Sequence, residues 1–265
     1  MTPPDKSPLF ATTLARGLEV INAFRAGRPS MNLPELAAAT HMTKSAVQRF
    51  AYTLETLGYL RKDPQSKRYQ LTPRALALGF GFLQTDSLID RATPYLHQLN
   101  QQCHESCNLS EPDGHDMIFV ARFASHNQVM IPMPLGLSLA MYCTASGRAY
   151  LSQLAPGQAL ALLKAMPRPA HTANTLTDLG ALAAAVEVAG KDGYALTDSE
   201  YFAGDISLGA AIVDASGMPL GAINISVPAS RWRVEDARKA LAPPLMETAR
   251  AISSAGLSQR AGGFR

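Results

Sequence analysis

Three cysteines, one tryptophan and no long apolar run set the first limits on this 265-residue chain. An odd, low cysteine count offers no disulfide framework of the kind that small secreted domains need. The first eight residues are polar and Pro-rich and carry no apolar core of a signal peptide, so the expected location is the cytoplasm. No stretch approaches the roughly 18 to 20 apolar residues that cross a bilayer. The richest, around Leu135 to Tyr142, is short and interrupted by Gly136 and Ser138, so no membrane partner is expected. Enzyme signatures are missing as well. There is no Gly-x-Ser-x-Gly elbow and no phosphate loop, and Gly79-x-Gly81 is followed by Gln84 where a dinucleotide fingerprint needs glycine. Neither an enzyme nor a cofactor is expected.

The chain does have length for two domains and a lopsided charge. Residues 1 to 80 carry 11 Lys+Arg against 5 Asp+Glu, and residues 81 to 265 carry 13 against 16. A small basic module that meets phosphates, joined to a larger one that does not, has this balance.

The basic part contains the most informative pattern. Asn32 with Glu35 makes a capping-box start for a short helix ending near Thr40, and Thr43 caps a second that runs to Leu57 and stops at Gly58. In that second helix Ser45, Gln48, Arg49 and Tyr52 recur at i, i+3, i+4 and i+7, opposite Val47, Phe50, Leu54 and Leu57. Burying the apolar set presents Gln48 and Arg49 outward, and these side-chain types read base edges in a major groove. Thr43, Lys44, Ser45 and Tyr52 are placed for phosphates. Tyr59 to Lys62 and Arg68 to Leu71 then form two strands around the turn Asp63-Pro64-Gln65-Ser66-Lys67, with Arg61, Lys62, Lys67 and Arg68 crowding the hairpin. An earlier helix over 9 to 26 supplies Leu14, Leu18, Ile21 and Phe24 to the same core. The whole describes a winged helix-turn-helix on double-stranded DNA, whose dimer would span two half-sites about 34 Å apart on a pseudo-palindromic operator.

Thr72-Pro73 opens a linker helix, and a further helix from Leu88 to about Cys103 carries Leu88, Ala92, Leu96, Leu99 and Cys103 on one stripe, with Pro94 expected to kink it. Phe80, Phe82 and Leu83 mark the linker as a dimer contact. Beyond Ser106 the pattern changes to short strands at Asn108 to Ser110, Met117 to Arg122, Val129 to Met133, Gly193 to Thr197, Ile206 to Val213 and Leu220 to Val227. Helices intervene at Ser146 to Leu154, Pro156 to Ala165 and Asp178 to Ala189, and a last one covers Val234 to Ser253. The expected organisation is α+β: a disordered start over 1 to 8, a DNA-binding domain over 9 to 72, linker helices over 73 to 104, a domain with a mostly antiparallel sheet over 105 to 256, and a flexible tail over 257 to 265.

The chain resembles an IclR-family transcriptional regulator from about residue 9 to 255. The resemblance is carried by Leu14 to Val20, Leu33 to Leu60, Arg68 to Arg74, Tyr142-Cys143-Thr144-Ala145-Ser146-Gly147-Arg148-Ala149, and Gly221 to Pro228. It implies a GAF-like effector-binding domain behind the winged helix, and homodimers or homotetramers that act as repressor or activator near catabolic genes, with RNA polymerase a further partner. It also implies a small organic acid as effector, with Tyr142, Cys143, Ala145, Ser146, Asp198, Ser207, Asn224 and Ser226 lining its pocket. A Gly-flanked helix start and small polar side chains on strands suit a carboxylate. Asn224 and Asp205 depart from the commoner family pattern, and Gly204-Asp205-Ile206-Ser207 with Met141-Tyr142-Cys143-Thr144 looks closer to the branch governing aromatic-acid degradation.

Two other chemistries stay in view. Cys103-His104-Glu105-Ser106-Cys107 invites a metal reading, but no second ligand cluster follows and Cys103 sits on an apolar stripe, so no metal is expected. The His104-Glu105-x-x-Asn108 run lacks the second His of a zinc-protease motif. A DNA-bound redox sensor using Cys103, Cys107 or Cys143 is the alternative to a metabolite sensor. Trp232, before the last helix, is placed for helix packing or for a partner.

Overall fold

The structure, a computed structural model, describes residues 7–24, 27–125, 127 and 133–261. It divides into two compact units, Met1–Thr85 and Asp86–Arg265.

In the first unit α1 (Thr12–Asn22), α2 (Leu33–Thr40) and α3 (Lys44–Thr56) pack around Val20, Leu36, Val47, Ala51 and Leu54. Both caps form as expected: the Asn32 side chain accepts from the Glu35 N–H while the Glu35 carboxylate accepts from the Asn32 N–H, and Thr43 accepts from the Ala46 N–H. Strands β1 (Leu60–Lys62) and β2 (Tyr69–Leu71) pair antiparallel with Leu60 opposite Leu71, and Met31 bridges to Tyr69. Gly58 takes φ +79°, the left-handed backbone that ends α3. Two details differ from expectation. Leu14 and Leu18 are exposed and Val20 is the buried residue of α1, while Leu57 is half exposed and Ala51 takes its place inside. After a 3-10 turn at Pro73–Ala75, α4 (Leu76–Thr85) is apolar around much of its circumference and buries none of its residues.

The second unit is a six-stranded sheet in the order β5-β4-β3-β8-β7-β6, every neighbouring pair antiparallel. The strands are β3 (Ser106–Asp113), β4 (Asp116–Phe123), β5 (Ser138–Ala140), β6 (Ala195–Asp198), β7 (Asp205–Val213) and β8 (Pro219–Pro228). Helices α5 (Ser87–Cys103) and α9 (Val234–Ala261) pack on one side; α6 (Ala145–Ser152), α7 (Pro156–Ala165) and α8 (Leu179–Asp192) occupy the other. Alternation along β8 explains both layers. Ile223, Ile225 and Val227 belong to one face and Ala222, Asn224 and Ser226 to the other, and all are buried.

Of the expected strand Val129 to Met133, residues 129–132 lie outside the described residues, and Met133 is not in a strand. The strand paired to β4 is instead Ser138–Ala140, too short to show an alternating pattern. Helix α5 continues unbroken through Pro94. The last helix, expected to end at Ser253 before a flexible tail from 257, runs on to Ala261. Buried Ala249 and Ile252 hold this helix, and the Ser253 hydroxyl accepts from the Val213 N–H at 3.0 Å, so a single Gly256 does not break it. Of the expected disordered start, residues 1–6 lie outside the described residues, as do 262–265 of the tail. Among the described residues no helix is long and apolar enough to cross a membrane.

Candidate functional site

Burial of Val47, Ala51 and Leu54 fixes the rotation of α3 and leaves Thr43, Lys44, Ser45, Gln48, Arg49 and Tyr52 exposed together. The hairpin beside it is stiffened by Asp63, whose Oδ1 accepts from the Ser66 N–H at 2.6 Å and the Gln65 N–H at 3.1 Å. These bonds, the Ser66 backbone first, hold its carboxyl below the usual range. Lys67 stands exposed at the turn with φ +57°. Arg61 donates to Gln70 Oε1 at 2.9 Å and the Lys62 ammonium sits 5.4 Å from the Tyr69 ring centre, yet both stay exposed. Arg68 is different. Its guanidinium grips both Glu35 carboxylate oxygens, at 3.1 and 2.7 Å, and also bonds Ser30 Oγ and the Ser30 carbonyl. Four of its five N–H donors are used inside the unit, tying the β2 end of the hairpin to the start of α2, so its first role is structural.

In the second unit a cavity lies between the polar face of the sheet and the start of α6. Its position depends on Gly209, where a Cβ would fall 2.5 Å from Ala145 backbone atoms; only a missing side chain lets the helix start sit on β7. Thr144 caps α6 by accepting from the Gly147 N–H, which leaves the Ala145 and Ser146 N–H groups facing the cavity region without intrahelical partners. The floor is a polar row across the strands. Thr197 pairs with Ser207 and Ser207 with Ser226; one step along, Asn224 pairs with Asn108. Asn224 donates to Ser207 Oγ at 3.0 Å, and Ser207 donates to the Ile225 carbonyl. Phe119, Met133, Tyr201 and Phe202 supply apolar and aromatic walls.

Two carboxyl groups complete the lining. Glu200 is neutralised by Arg148, which donates to its two oxygens at 2.6 and 2.5 Å with both side chains buried. Asp205 accepts from the Ser226 hydroxyl, and burial pushes its carboxyl up to about 6, outweighing that bond, with Asp198 adding repulsion. The space left for a water-sized sphere is only about 20 Å³. An aromatic ring therefore requires the walls to give way, since cavities that admit benzene measure about 150 Å³.

Of the residues expected to line an effector pocket, Cys143, Ala145, Ser146, Ser207 and Asn224 border this cavity. Asp198 and Ser226 stand behind Asp205. Tyr142 points elsewhere: its hydroxyl donates to the Pro169 carbonyl, and its ring borders a separate, open depression with His115 and His171. Burial pushes the Cys143 thiol up to about 12. Glu200 and Tyr201 escaped the sequence reading because nothing local links them to residues 50 positions away. Asp205 had a local signal, a charged residue opening an otherwise apolar strand. Among the described residues, no group of three or more His, Cys, Asp or Glu could hold a metal ion.

A winged helix with a free recognition face, on the same chain as a sensor domain with a buried polar cavity, defines a ligand-responsive transcriptional regulator. Residues 13–64 match the IclR helix-turn-helix domain and residues 80–254 the bacterial transcriptional regulator IclR C-terminal domain. The chain belongs to the IclR family of transcriptional regulators. It is 32% identical over 244 residues to the Pca regulon regulatory protein of Pseudomonas putida, covering 92% of this chain and 83% of that one. It is 28% identical over 221 residues to the transcriptional repressor IclR of Escherichia coli, covering 83% and 81%. A crystal structure of a transcriptional regulator from Rhodococcus sp. RHA1 superposes with TM-score 0.80 at 35% identity, covering 94% of this chain and all of that one. An IclR homolog from Microbacterium hydrocarbonoxydans, complexed with 4-hydroxybenzoate, shares the fold with TM-score 0.74 at 20% identity over 93% and 99%.

Proposed function

We propose that this regulator binds a pseudo-palindromic operator as a homodimer or tetramer and that an organic acid, of the aromatic class, controls it from the cavity at α6. Gln48 and Arg49 read bases; Thr43, Lys44, Ser45, Tyr52, Arg61, Lys62 and Lys67 hold phosphates. Helix α4, with Leu76, Leu78, Phe80 and Phe82 exposed, supplies the contact with a second copy.

The observation that carries the effector reading is the cavity itself. The two free N–H groups at the start of α6 favour an anion, the row of Ser207 and Asn224 adds neutral hydrogen-bonding partners, and Phe119, Tyr201 and Phe202 suit a ring. The relatives named for the Pca regulon and for a 4-hydroxybenzoate complex support the same class. Because the cavity is nearly filled by its own lining, ligand entry has to displace side chains at its walls. Binding is thereby linked to a change of conformation, and a coupling of about 1 to 3 kcal/mol suffices to alter affinity for DNA or for polymerase.

The test is binding of the full chain to its own upstream intergenic DNA, with scrambled DNA as control, across a panel of aromatic and aliphatic acids. The expected result is operator binding that prefers the native sequence and shifts with an aromatic acid. An operator complex indifferent to every acid would overturn the effector reading, and equal affinity for native and scrambled DNA the reading of α3.

A further inference from the structure

Two of the three cysteines meet where α5 hands over to β3. Cys103 is the last residue of α5, His104 turns the backbone left-handed at φ +58°, and Cys107 is the second residue of β3. This turn folds the chain back so that the two sulfurs lie 3.6 Å apart, both directed at the Glu105 carbonyl, 3.9 Å from Cys103 and 3.5 Å from Cys107. A disulfide places sulfurs about 2.05 Å apart, so the bond would close the remaining gap between two sulfurs that the turn has already brought into contact. We propose that Cys103 and Cys107 are a redox modification site, a dithiol that peroxide converts to an intramolecular disulfide.

The two thiols are not equivalent, and their differences assign the roles. Cys103 is partly exposed, between exposed Gln102 and His104, whereas Cys107 is buried. Donation from the Cys107 thiol lowers the Cys103 pKa, and the same contact, together with burial, raises that of Cys107. The Cys103 thiolate attacks one oxygen of the peroxide; the O–O bond breaks, sulfenic acid forms, and the other oxygen leaves as water after taking a proton. The Cys107 sulfur then attacks the Cys103 sulfur. The S–O bond breaks, and the departing hydroxide takes the Cys107 proton to leave as a second water. Two thiols are oxidised and one peroxide is reduced.

The surroundings can accept the bond. Oxidation removes the S–H hydrogen bonding available to the Glu105 carbonyl, which still accepts from Asn100 Nδ2 at 2.8 Å. The Glu105 side chain is clamped by Arg231, at 2.7 Å on each oxygen, and by the Trp232 indole N–H at 2.9 Å. Although burial opposes it, these bonds hold the Glu105 carboxyl below its usual range. Cys143 has no such neighbour; its sulfur donates to the Ala140 carbonyl from within the core. The pair alone is placed for intramolecular chemistry, and its assignment does not depend on the identity of the effector.

The only tryptophan of the chain is bonded to the residue between the two cysteines, which gives the test an optical readout. The full chain is treated with excess hydrogen peroxide, unfolded in an alkylating reagent and analysed by mass, with Trp232 emission followed in parallel. The expected result is that three alkylated thiols fall to one, that the surviving label sits on Cys143, and that the change reverses with a dithiol reductant. Emission should shift in the parent and in Cys143→Ser but not in Cys103→Ser. Cys107→Ser should leave a sulfenic acid on Cys103 that a cyclic dione traps. Full alkylation of both Cys103 and Cys107 after peroxide would overturn the proposal, and so would a bond found only between chains. The readout on the parent protein stands even if a Ser variant fails to fold.

Discussion

Arg68 and Lys67 are neighbours with the same charge and opposite assignments. Arg68 is spent on Glu35 and Ser30, whereas Lys67 stands at the open turn of the hairpin. Replacing Arg68 with Ala should lower the melting temperature of the amino-terminal unit and weaken DNA binding only through that loss. Lys67→Ala should leave melting unchanged and lower affinity for native and scrambled DNA alike, with the salt slope reduced by about one ion. Calorimetry together with a salt titration separates the two. Asp205 makes a second prediction at this scale. Its carboxyl holds a proton more tightly folded, up to about 6, than unfolded, near 3.8. Its contribution to stability is therefore complete below about pH 3.8 and is lost as pH rises to about 6, leaving a penalty on the order of 3 kcal/mol at neutral pH. Asp205→Asn should gain stability over the parent at pH 7.5 and lose that advantage near pH 4. An acid in the cavity should bind more tightly to the parent at pH 5.5 than at 7.5, a difference that the Asp205→Asn substitution flattens; equal affinities at both pH values would show that the ligand's charge lies away from Asp205.

Elements carry the site through two contacts invisible in local sequence. Gly209 lets the start of α6 rest on β7, because any Cβ there meets Ala145 backbone. Gly209→Ala should cost about 1 to 3 kcal/mol and should abolish acid binding by lifting Ala145 and Ser146 away from the floor. Arg148, on α6, holds Glu200, the residue that closes the cavity beyond β6. Arg148→Ala leaves a buried carboxylate unpaired and should cost about 3 to 5 kcal/mol, measurable by denaturant unfolding. Helix positions were legible where polar caps and apolar periods agree, as at Asn32 with Glu35 and along Leu88, Ala92, Leu96 and Leu99. Reading failed for α1, where Leu14 and Leu18 keep the helical spacing of a core stripe and yet remain exposed. Periodicity marks an apolar face without saying whether this unit or a second copy covers it.

For the whole molecule, the charge division between the two units predicts a DNA affinity that falls steeply with salt, by about three decades or more between 50 and 200 mM if six or more phosphates are neutralised. Arg49→Ala should keep most of that slope while flattening the preference for native over scrambled DNA, by roughly 1 to 3 kcal/mol. Loss of slope without loss of preference would exchange the roles given to α3 and the hairpin. The two-unit plan, the caps of α2 and α3 and the outward face of the recognition helix could all be read from the order of residues. The caps and the recognition face rest on residues within a few helical turns of each other, where local geometry is enough. The motif resemblance also led to Cys143, Ala145, Ser146, Ser207 and Asn224 at the cavity. It took the folded chain to show that Tyr142 turns away, that Arg68 is a clamp, that Asp205 is buried against Ser226, and that Arg148 neutralises Glu200. These choices join side chains up to 52 positions apart, and their outcome depends on desolvation and strand register, quantities that exist only once the sheet has formed.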